Sequence, residues 1–84
     1  MEILLDGNKI HNKKELFESL KNQINSDEFL GNNLDALWDI LSTNKDKVVI
    51  NIINIGQLRL HLREYTKPML DLFKQLENAE VFVK

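Results

Sequence analysis

Residues 48–53 read VVINII. Five of these six side chains are β-branched, a type stiff at χ1 that packs well on a pleated backbone. The run is bounded by Lys45-Asp46-Lys47 on one side and Asn54 on the other. It is too short for a buried helix and too continuously apolar for a loop. A run of this kind suits a strand covered on both faces, which places it at the centre of a parallel sheet.

Working outward, EILL at residues 2–5 is a shorter apolar run closed by the turn pair Asp6-Gly7, and EVFVK at 80–84 closes the chain in the same manner. Helical spacing fills the intervals. Asn12 followed three residues later by Glu15 resembles a capping box, and Leu16, Phe17, Leu20 and Ile24 recur on one face, predicting a helix from about Lys13 to Ile24. After the NSDEF loop, Gly31, Asn32 and Asn33 supply turn and N-cap chemistry for a second helix with Leu34, Leu37, Trp38 and Leu41 on its stripe, ending near Thr43-Asn44. The stretch IGQLRLHLREY, residues 55–65, carries two signals. Leu58, Leu60 and Leu62 alternate as in a strand, while Leu58 and Leu62 fit a helix at i, i+4; the short helix is the preferred reading. Thr66 as N-cap with Pro68 in the first turn opens a last helix bearing Met69, Leu72, Phe73 and Leu76. The order β, α, α, β, α, α, β predicts an α/β fold: a single small domain over residues 1–84, with a three-stranded parallel sheet and about four helices.

Composition narrows the function classes. The chain has 84 residues, 43% hydrophobic and 29% charged, an ordinary globular balance. No apolar run nears the roughly 18 residues that cross a bilayer. The N-terminus, MEILLDGNK, lacks a basic n-region and a cleavage site, so it reads as a first strand and not as a signal peptide. The absence of cysteine rules out disulfide staples and fits a reducing cytoplasm. A pI near 5.6 argues against binding a phosphate backbone. Net charge is −2 but unevenly spread: Asp27, Glu28, Asp35 and Asp39 stand between Asp27 and Ser42 without a Lys or Arg. That local deficit points to a basic partner.

Asp35 and Asp39 fall about 100° and 140° from Leu34 on the second helix, sharing one flank outside the apolar stripe. Asp35 has a structural reason to be there, since a negative charge in a first turn is favoured by the helix dipole. Asp39 lacks that reason: aspartate is a weak mid-helix former, and a like charge one turn earlier disfavours it further. Trp38 lies at the stripe's edge, between core packing and a surface role. Phe29 is open to two readings, packing beneath the helix or anchoring a contact. Catalysis finds little support. His11 and His61 are fifty positions apart, and His61 among leucines reads as structural or surface. No thiol, glycine-rich phosphate cradle or HExxH spacing is present, so no catalytic residue, cofactor or metal is expected.

The stretch GNNLDALWD, residues 31–39, resembles the signature of the barstar-like ribonuclease inhibitors. The Asp6-Gly7 turn, the first helix, the apolar central strand and the Phe73-bearing helix also fall in that family's order. The resemblance implies a small protein that plugs the active site of a small basic extracellular ribonuclease, with carboxylates standing in for RNA phosphates. By position it implies that Asp39 enters the phosphate site, Asp35 and Asn33 contact polar residues, Gly31 allows close backbone approach, and Phe29 packs on a histidine. Trp38 and Ser42 complete the edge. The family's acid on the last helix falls on Gln75, with Glu77 nearby as a substitute, and Asn44 and Lys45 stand where the family has a tryptophan and an apolar residue. The implied protein is cytoplasmic and monomeric when free, with no direct contact to nucleic acid or membrane. The alternative is an acidic interaction module of the same fold that binds another basic protein.

Overall fold

The computed structural model of the chain describes residues 1–24, 29 and 31–84. The predicted loop at residues 25–28 and Leu30 lies outside them. The elements follow in the expected order: β1 (Glu2–Asp6), α1 (Lys13–Ile24), α2 (Leu34–Ser42), β2 (Val48–Ile53), α3 (Ile55–Leu62), a 3-10 turn (Arg63–Tyr65), α4 (Thr66–Gln75) and β3 (Ala79–Val83). The sheet has order β1-β2-β3, and both pairings are parallel, with Ile50 level with Ile3 on one side and Val81 on the other. VVINII is thus the central strand.

The core forms where Val48, Ile50 and Ile52 of β2, with Ile3 and Leu5 of β1, meet the helical stripes. Leu16, Phe17 and Leu20 come from α1, Leu37 and Leu41 from α2, Leu58 from α3, and Met69 and Phe73 from α4. One expectation fails here: the central strand is not covered on both faces. Val49, Asn51 and Ile53 are only half-buried, and their neighbours Leu4 and Phe82 are 49% and 46% exposed. Val49 and Ile53 made the run look continuously apolar, yet they stand half-buried on the open face, which suits β-branched residues on a half-covered pleat. The β1 edge is closed differently. The Gln23 side chain of α1 accepts the Leu4 N–H at 2.6 Å and donates to the Leu4 carbonyl at 2.8 Å, standing in for a neighbouring strand.

The local signals hold in most places. Asn12 caps α1 by accepting the Glu15 N–H at 2.8 Å, while Glu15 reaches back to the His11 N–H at 2.8 Å, one residue beyond the usual box partner. In α3, Leu58 and Leu62 are buried and Leu60 is 67% exposed, as the helical reading requires. The predicted N-cap at Thr66 is corrected: Thr66 is the first residue of α4, the cap position is Tyr65, and no side chain caps it. The chain enters α4 already coiled from the 3-10 turn, so Thr66 is drawn into the core, 1% exposed, where its hydroxyl has no partner among the described residues.

At the exit of β1, a Cβ on Gly7 would stand 2.1 Å from the Asn54 carbonyl oxygen and 2.6 Å from the Leu58 nitrogen, so only glycine admits the start of α3. Asn54 adopts the left-handed region, φ 54°, and its amide donates to Asp6 Oδ1 at 2.8 Å, where the Asn8 N–H also arrives at 2.9 Å. These donors, the Asn54 amide foremost, hold the Asp6 carboxyl below its usual value. A carboxyl depressed in the folded state stabilises above its unfolded pKa and loses that contribution as pH falls through the folded value. Asp6→Asn should therefore flatten the decline of urea midpoints below about pH 4; an unaltered decline would count against this linkage. Arg63 sits at φ 53° and ψ −123°, a conformation that glycine adopts freely. Arg63→Gly should raise stability by about 1 kcal/mol in denaturant titrations, and a loss would show the strain to be absent.

Candidate protein-binding interface

Helix α2 is held at both ends. Asn33, extended at φ −143°, accepts the Ala36 N–H on its side-chain oxygen at 2.8 Å, which confirms the predicted cap. At the other end the Asn78 amide, from the turn before β3, donates to the carbonyls of Leu41 at 3.1 Å and Asn44 at 3.2 Å. Thr43 donates both its N–H and its hydroxyl to the Asp39 carbonyl. Leu37 and Leu41 are fully buried, each contributing about 2 kcal/mol of apolar burial. The remaining face therefore has a fixed orientation.

Asp35 and Asp39 lie on that face, both exposed. Among the described residues no Lys, Arg or His pairs with either, although three other ion pairs are present: His11–Glu15, Lys47–Glu80 and Lys67–Asp71. Trp38 is half-buried and forms the wall between two shallow grooves at the α2–α4 junction. One is lined by Leu34, Asp35, Pro68, Asp71 and Leu72, the other by Ser42, Asn44, Leu76, Glu77 and Asn78, and Gln75 borders both. The fold thus gathers Asp35, Trp38, Ser42 and Gln75 from two helices, with Asp39 one turn beyond Asp35.

Two expected contact residues are placed otherwise. Phe29 is 4% exposed and belongs to the core, edge-on to Phe17 at 6.4 Å. This is the packing alternative for Phe29, whose buried ring presents little surface to a partner. Gly31 does serve a close approach, but an internal one: a Cβ there would lie 2.7 Å from the Ala36 Cβ. Asp71 is the residue that sequence reasoning missed. It stands one turn before Gln75 on the same helix and lines the groove that Asp35 borders.

Three substitutions follow from this support. Asn33→Ala and Asn78→Ala should each cost about 1 kcal/mol. Gly31→Ala should cost a comparable amount by forcing the Ala36 methyl to move. Each is read from a denaturant midpoint, and neutral effects would mean that α2 is not held in the way described.

The family described as Barstar (barnase inhibitor) matches residues 1–82. A Bacillus subtilis (strain 168) protein named "Putative ribonuclease inhibitor YrdF" is 39% identical over 77 residues, covering 90% of this chain and 85% of its own length. The capped helix α2, its paired outward carboxylates and the three-stranded parallel sheet are thus carried by a chain that belongs to the barstar (barnase inhibitor) family.

Proposed function

We propose that this protein binds the active site of a small basic, secreted ribonuclease through the outward face of α2 and blocks it inside the cell. Family membership supports an inhibitor's role and not an enzyme's, and the name of the Bacillus subtilis relative agrees with it. The observation that carries the reading is the pair of exposed carboxylates, Asp35 and Asp39, unpaired among the described residues and fixed on a helix capped at both ends.

An RNA-cleaving cleft is lined with cations because it must hold a polyanion. Two carboxylates at one-turn spacing present similar charge without a scissile bond. Since α2 is ordered beforehand, little conformational entropy is lost on docking. Asp39 takes the deepest position, Asp35 and the side-chain amide of Asn33 flank it, and Trp38, Ser42 and Gln75 form the rim. No cofactor or metal enters the blocking step, and the free protein acts as a monomer. Among the described residues no helix is long and apolar enough to cross a membrane.

Asp39→Ala should weaken inhibition of the cognate ribonuclease roughly a hundredfold, because a partner cation would be left buried and uncompensated. The same change should leave thermal stability equal or slightly higher, since alanine is the better helix former and a like-charge contact disappears. Salt should slow association of the parent protein. If Asp39→Ala melts the domain without touching affinity, the residue is structural and this reading falls.

A second reading draws on the rim. Asn44, Lys45 and Gln75 are more polar and less acidic than an inhibitor of a strongly basic cleft requires, which favours a different basic protein as target. Binding to an immobilised basic partner that is not a nuclease, abolished by Asp39→Ala, would decide for it.

A further inference from the structure

The two histidines, distant in sequence, meet in the fold. His11 follows β1 and His61 lies near the end of α3; their ring centroids are 4.9 Å apart and their planes inclined by 49°. His61 Nδ1 is 3.0 Å from the Gly7 carbonyl oxygen and 2.9 Å from that of Ile10. Carbonyl oxygens only accept, so this nitrogen carries the hydrogen. His11 Nδ1 is 2.8 Å from Glu15 Oε1. The same Oε1 already accepts the His11 backbone N–H at 2.8 Å, so it is an acceptor towards the ring nitrogen as well. A neutral imidazole with its hydrogen on Nδ1 keeps a lone pair on Nε2. Both rings are therefore set in the same tautomer, each with one basic nitrogen left over.

We propose that His11 and His61 form a two-imidazole site for a divalent first-row transition metal such as zinc, bound through both Nε2 atoms with water completing its coordination. Histidines that hold metals donate their other ring N–H to a carbonyl or carboxylate, which orients the ring and raises its basicity; both rings here do so. With zinc–nitrogen bonds of about 2.0–2.1 Å and a near-tetrahedral angle, two bound imidazoles have centres roughly 5 Å apart, the separation observed. His11 is exposed and His61 half-buried, so solvent reaches the pair. Imidazole suits zinc, nickel and copper, whereas magnesium seeks oxygen. A bound ion would tie the segment after β1 to α3 and stabilise only the folded chain.

The test is a calorimetric and thermal titration of the tag-free protein with zinc chloride in a non-coordinating buffer. Saturable binding of one ion per chain is expected, with a melting point raised by several degrees and no response to magnesium. His11→Gln, at an exposed position, should weaken binding at least about tenfold. Long-range proton–nitrogen spectra of the unmodified chain give a second readout, in which zinc should shift the Nε2 signals of both histidines. No saturable binding, unchanged binding by His11→Gln, or a shift confined to one ring would overturn the proposal. None of these outcomes bears on ribonuclease inhibition.

Discussion

Burial of Val48, Ile50 and Ile52 beneath the helices is the constraint from which the rest of this structure follows. These alternate residues of β2 give one face of the sheet its apolar floor, and every helix contributes its stripe to the same cluster. An 84-residue chain has little core to spare. Once Leu37 and Leu41 are committed to that floor, the opposite flank of α2 must face solvent, and the carboxylates on it face solvent as well.

Orientation alone would not make a useful binding face; rigidity is also needed. Asn33 and Asn78 hold the two ends of α2 from different parts of the chain, one local and one more than thirty positions away. A helix of nine residues is too short to persist by propensity. Capping and burial keep it formed, so the spacing of Asp35 and Asp39 is already set. Their lack of a neighbouring cation among the described residues keeps their charge available. By contrast, the Lys67–Asp71 pair on α4 neutralises the acid that fronts the same groove.

The rim around Trp38 carries its acids at Asp71 and Glu77. Gln75 occupies the position where an acid was expected, while Glu77 lines one groove and Asp71 the other.

Local physics explains how much was legible beforehand. Strand β2, the bounds of α1, the stripe of α4 and the Asn33 cap are consequences of side-chain period, β-branching and short-range hydrogen bonding, all of which a linear sequence displays. The outward direction of Asp35 and Asp39 followed from the same helical angles. What remained hidden depends on which surfaces meet. The open face of the sheet, the withdrawal of Phe29 into the core, the internal role of Gly31, the Asn78 cap and the contact between His11 and His61 arise from packing across dozens of residues. Periodicity specifies which side of an element is apolar; only the assembled fold specifies what lies against it.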